Sequence, residues 1–162
     1  MTNKVVHTVA RAMNELGIPS IRFNFRGVGA SEGTYDEANG ETQDALAVIE
    51  YGRARWPNAV LWLGGFSFGG GVAIRAASRT PTQQLILVAP AVRLVDVSDA
   101  HPDCRILVVQ GDADTTVEPA AVLSWAATLK PEPKVAVLAG VEHFFHGRLN
   151  ELRDAILALE RL

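Results

Sequence analysis

Two hydrophobic periods alternate along this chain, and that alternation limits the architectures open to it. Residues 4–16 place Val5, Val9, Met13 and Leu16 on one helical stripe, closed by Gly17 and then Pro19. Residues 20–25 alternate polar and apolar and predict a strand. A loop rich in Gly, Ser, Asn and Asp fills 26–40. A helix over 41–55 then carries Ala45, Val48, Ile49 and Gly52 on one face before Trp56 and Pro57 end it. The apolar run 59–63 reads as a buried strand leading into Gly64 and Gly65, and a helix of small residues follows at 68–79. Further strands are predicted at 84–89, 105–110 and 134–138, with helices at 118–129 and 148–161. The last helix aligns Leu149, Leu152, Ile156 and Leu159. Continuous apolar strands joined by helices imply a mostly parallel sheet with helices on both faces. Right-handed crossovers bring the strand-end loops to one edge, where ligand chemistry in such sheets takes place. No repeat, low-complexity tract or linker interrupts the pattern, so one domain is expected over 1–162.

Charge and cysteine content narrow the function classes. A formal net charge of −3, with no stripe of Lys and Arg, argues against nucleic acid as a partner. The single cysteine, Cys104, excludes an internal disulfide and suits a reducing compartment; it reads as a packed small hydrophobe. His and Asp residues are too scattered for a zinc site, and no metal or organic cofactor is implied. The opening residues do not form a signal peptide, and no apolar run reaches the ~18 residues that span a bilayer, so no membrane association is expected. The expected location is the cytoplasm.

The sharpest chemical signal is Gly65-Phe66-Ser67-Phe68-Gly69, a Gly-x-Ser-x-Gly between a predicted strand and a predicted helix. That spacing suits a serine on a strained turn at the sheet edge, where side chains two residues before or after would strike neighbouring backbone. The Phe68 amide then faces the place where an oxyanion would form, helped by the positive end of the following helix. A serine hydroxyl needs a base beside it. Of the four histidines, His7 lies within the first helix and His101 precedes a strand on the opposite edge, whereas His143 and His146 follow the strand 134–138. His143 comes directly after a turn and is favoured; His146 lies near the last helix. The imidazole in turn needs a carboxylate. Asp112 and Asp114 both follow the strand 105–110, and Asp114 is favoured because the first residue past a strand more often braces the loop.

These segments resemble the small, lidless bacterial α/β-hydrolases related to dienelactone hydrolase. Residues 23–33 resemble a loop of that family, 65–69 its nucleophile elbow, 110–114 its acid loop and 140–147 its histidine loop. The order Ser, Asp, His is also theirs, and not that of chymotrypsin or subtilisin. The resemblance implies a three-layer α/β-hydrolase fold that cleaves small carboxyl esters through an acyl-enzyme, with Ser67, Asp114 and His143 as triad. The loop 26–31 is expected to be structural and to border the pocket. Only residues 92–104 separate two successive strands, too few for a packed cap domain.

In that family a further central strand and a His-Pro-rich loop precede the segment resembling residues 4–16, and the loop supplies a second oxyanion donor. The chain opens at Met1 just before this helix, which reads as an N-terminal truncation in preference to a short variant that closes the gap or borrows a strand. Sheet edges left open in this way favour strand addition, including a homodimer. Three functions are therefore carried forward: an esterase for small soluble esters, a peptidase or thioesterase with the same triad, and an inactive interaction module.

Overall fold

A computed structural model describes residues 3–158. Its chain order is α1 (Lys4–Glu15), α2 (Asn39–Arg55), β1 (Trp62–Phe66), α3 (Phe68–Ala77), β2 (Gln84–Val88), β3 (Arg105–Gly111), α4 (Pro119–Ala126), β4 (Lys134–Leu138) and α5 (Leu149–Leu157). The four strands form one sheet in the order β1-β2-β3-β4, every pair parallel. Leu87 sits beside Gly65 on one side and Val108 on the other.

Why the central strands read as unbroken apolar runs is visible in their two faces. Successive side chains point to opposite sides of a sheet. Leu85, Leu87, Ile106 and Val108 join a core with Val72 and Ile74 of α3 and Val122 of α4. Ile86, Val88, Leu107 and Val109 join a second core with Val5 and Met13 of α1 and Leu152 and Ile156 of α5. With a helical layer on each side, every position in β2 is buried.

The helix ends follow local chemistry. The Asn3 side chain accepts a hydrogen bond from the Val6 amide and caps α1. At the other end Gly17 adopts φ +73°, and the Ile18 amide donates back to Met13, the exit a glycine permits. On α1 it is Val5, Ala10, Ala12 and Met13 that are buried, so the predicted stripe through Val9 and Leu16 is rotated slightly outward. Leu159 of the predicted last stripe lies outside the described residues.

Two predicted strands come out differently. Residues 20–25 take no regular secondary structure and pair with no strand among the described residues, although Phe23 and Phe25 pack against the core on the α3 and α4 side. Alternation alone does not make a strand, which needs a hydrogen-bonded neighbour, and among the described residues β1 is bonded to β2 alone. The predicted buried strand 59–63 is instead Trp62–Phe66, an edge strand, and Val60 before it is 64% exposed. Its start is set by pairing, with Trp62 opposite Gln84.

Candidate active site

The site begins at the carboxyl end of β1. Between Phe66 and α3 stands Ser67 at φ +53°, ψ −120°, a conformation costly for any residue with a side chain. Its backbone is held on several sides. Its amide donates to Val88, and its carbonyl accepts from the amides of Gly70, Gly71 and Ala91. A Cβ on Gly65 would lie 2.2 Å from the Gly69 carbonyl oxygen, so that glycine is required by close approach of backbone. Gly69 differs from expectation. A Cβ there would meet only Phe25, at 3.8 Å, an ordinary contact. The crowding after the serine falls instead on Gly70 and Gly71, against Pro90 and Val95.

The other two strand ends deliver the imidazole and the carboxylate. His143 Nε2 lies 3.0 Å from Ser67 Oγ, and His143 Nδ1 lies 2.8 Å from Asp114 Oδ2. With a carboxylate at Nδ1, the proton belongs on that nitrogen, and Nε2 is left to accept from the serine hydroxyl. Asp114 and His143 are 5% and 4% exposed, so the relay is shielded from bulk water up to the serine.

Asp114 is fastened by more than the histidine. Its Oδ1 accepts from the amides of Thr116 and Val117, each at 2.8 Å, and its Oδ2 accepts from Gln110 Nε2 at 3.2 Å. These contacts, absent from the sequence reading, carry a faint signal there. Asp followed by two threonines after a strand is the composition of an Asx turn. The imidazole is also walled by Phe66, 4.8 Å between ring centres, and by Phe144, 5.0 Å away and nearly perpendicular. Nothing in the sequence singles out either phenylalanine.

The rejected candidates have clear structural work. Asp112 accepts from the Gly140 amide at 2.6 Å, and the Asp112 and Ala113 amides donate to Leu138 and Val141, so the acid and histidine loops are sewn together. His146 is exposed and pairs with Glu142 at 2.9 Å. The amides of His146 and Phe144 hold the Glu142 carboxyl below the usual carboxylate range. His7 and His101 are exposed, on α1 and in the turn before β3. Cys104 is buried, and that burial pushes its thiol up, away from nucleophile behaviour.

The Phe68 amide, first in α3, has no hydrogen-bond acceptor among the described residues and stands at the positive helix end beside Ser67. Around it lies an apolar rim. Phe25 and Tyr35 pack on the Phe68 ring at 5.9 and 5.7 Å, while Tyr35, Val28 and Phe144 are about half exposed or more. The loop from Arg26 thus borders the site. It is pinned by Arg26, whose guanidinium and backbone amide both reach the Asp44 carboxylate of α2. Among the described residues no three His, Cys, Asp or Glu side chains converge as a metal site, and no helix is long and apolar enough to cross a membrane. No helix or strand forms between β2 and β3, so no cap covers the serine from there.

A parallel sheet with helices on both faces and a serine elbow at its carboxyl edge defines an α/β serine hydrolase. The chain belongs to the family described as serine aminopeptidase, S33, whose model matches residues 2–103, a span that includes Ser67 but neither Asp114 nor His143. It is 46% identical to a crystal structure from Xanthomonas campestris described as an α/β serine hydrolase without lid. The two superpose with a TM-score of 0.95 over 100% of this chain and 75% of that one. It is 32% identical to the uncharacterized protein RP471 of Rickettsia prowazekii, over 96% of this chain and 70% of the relative. A shorter likeness, 34% over 57% of this chain and 24% of the relative, joins it to the lysophosphatidylserine lipase ABHD12 of Rattus norvegicus.

Proposed function

We propose that this chain is an esterase that cleaves small carboxyl esters through an acyl-enzyme. The observation that carries the reading is the unbroken relay from Ser67 Oγ through His143 to Asp114, with both hydrogen bonds at 3.0 Å or less. Ser67 Oγ attacks the ester carbonyl as His143 Nε2 takes its proton. The carbonyl π pair moves to oxygen, where the Phe68 amide donates to the oxyanion. Collapse expels the alkoxide, which leaves as the alcohol with the proton His143 returns. Water, deprotonated by the same nitrogen, then releases the acid and restores the serine. Asp114 keeps the proton on Nδ1 and stabilises the imidazolium. The rim of Tyr35, Phe68 and Phe144 supports an apolar acyl or alcohol group, and the likeness to a lysophosphatidylserine lipase supports an ester over an amide.

The family description favours a second reading, an aminopeptidase with the same triad. Parallel assays with p-nitrophenyl butyrate and an aminoacyl p-nitroanilide separate the two; turnover of the ester and not the anilide is expected. A fluorophosphonate is expected to label Ser67, and Ser67→Ala to lose both label and turnover, by roughly 10⁴-fold or more. Labelling that survives Ser67→Ala would end the proposal. A folded chain that neither labels nor turns over the ester would point to the inactive-module reading.

A further inference from the structure

One polar side chain breaks the apolar interior of β3, at Gln110 near its carboxyl end. Gln110 is 0% exposed, and its alternation with Ile106 and Val108 turns it toward the core on the α3 and α4 side. Its Oε1 is buried and has no hydrogen-bond partner among the described residues. A leucine there would bury apolar surface and leave no acceptor unpaired, so packing alone does not account for a glutamine.

The nitrogen end of the amide shows what the side chain does. Nε2 donates to the Gly111 carbonyl at 3.1 Å and to Asp114 Oδ2 at 3.2 Å. Both neighbours are acceptors only, so an amide turned over would set its oxygen against a carbonyl and a carboxylate. Asp114 is thereby divided between two pairs of donors. The Thr116 and Val117 amides hold Oδ1, whereas Gln110 and the His143 ring share Oδ2. Among the described residues no other carboxylate hydrogen-bonds that ring. Asp112 accepts from the Gly140 amide, and Glu142 accepts from the Phe144 and His146 amides and pairs with the His146 ring. Phe66 and Phe144, which wall the imidazole, are uncharged.

We infer that Gln110 is a positioning residue acting through Asp114: it keeps Oδ2 aimed at the imidazole and withholds part of that oxygen's negative charge. The inference deepens the esterase reading and rests on its relay from Ser67 through His143 to Asp114. A hydrogen bond to a carboxylate stabilises its charged form and leaves it a weaker partner for a second donor. With Gln110 in place, the imidazolium that forms during turnover is held by an oxygen already partly satisfied. Without it, Oδ2 serves the imidazole alone, and the carboxylate loses one of the four donors that orient it. No bond is made or broken at Gln110 itself.

The test compares the parent with Gln110→Met, which keeps the length of the side chain and removes the donor. NMR titration of the imidazole nitrogens needs no turnover. It is expected to place the His143 midpoint roughly half a pH unit higher in the variant. With p-nitrophenyl butyrate the acid limb of kcat/KM is expected to move by the same amount, and kcat to fall about tenfold with KM within about twofold. In the parent itself the Gln110 side-chain NH2 signal is expected to shift with the His143 midpoint, a reading that holds even where Gln110→Met does not fold. A folded variant whose midpoint matches the parent's would overturn the inference whatever its kcat, since a purely structural glutamine moves stability or rate and not a titration. So would a Gln110 NH2 signal indifferent to the protonation of His143. A parent that shows this coupled shift but neither labels with a fluorophosphonate nor cleaves the ester would end the esterase reading while supporting the coupling.

Discussion

Ser67 occupies a backbone conformation that costs about 1–3 kcal/mol, and four backbone hydrogen bonds around it keep it there. Its glycine neighbours are unequal in this. Gly65→Ala drives a methyl into the Gly69 carbonyl and is expected to destabilise the fold by roughly 2–3 kcal/mol, read as a lower urea midpoint. Gly69→Ala, which meets only Phe25 and lies in the first turn of α3, is expected to stay within about 1 kcal/mol of the parent. A midpoint for Gly69→Ala as low as that for Gly65→Ala would contradict this account. The serine itself was legible from its motif. Asp114 was separable from Asp112 only by an argument about reach, and the amides of Thr116 and Val117 that orient it depend on a turn conformation no composition specifies.

The loop from 26 to 38 shows how one ion pair positions an element. Arg26 and Asp44 tie the loop to α2, and the hydrogen bonds from Arg26 hold the Asp44 carboxyl below its ordinary value. A carboxyl depressed in the folded state contributes stability above its unfolded pKa and loses it as pH falls through the folded value. Asp44→Asn is therefore expected to lower stability at neutral pH, with the difference shrinking below about pH 4. Urea titrations of both proteins at pH 3 and 7 check it, and a pH-independent difference would rule out the ion pair as its source. Helices were the elements best foreseen, since a 3.6-residue stripe and a Gly17 exit are local facts. Strands 20–25 and 59–63 were not, because pairing is a property of two segments. The first pairs with no strand among the described residues, and the second took its bounds from β2.

Two apolar layers, one on each face of the sheet, hold the molecule together, and β2 is the strand they share most completely. Leu87→Ala at its fully buried centre is expected to cost about 2–5 kcal/mol and lower Tm by several degrees in calorimetry. A change within 1 °C would show that the core on the α3 and α4 side is not the main support. The three groups of the relay come from the ends of β1, β3 and β4, at positions 67, 114 and 143. Hydrophobic periodicity alone determined that this chain makes a parallel sheet between helical layers, because burying an apolar stripe is decided by the stripe itself. It also determined that Ser67, Asp114 and His143 fall on one edge, because crossover handedness brings the strand-end loops together there. Only the tertiary structure decided which aspartate faces the imidazole, that Gly65 and not Gly69 is sterically required, and where β1 begins. Each of those depends on distances between segments far apart in the chain, and contacts across space are not written in any local pattern.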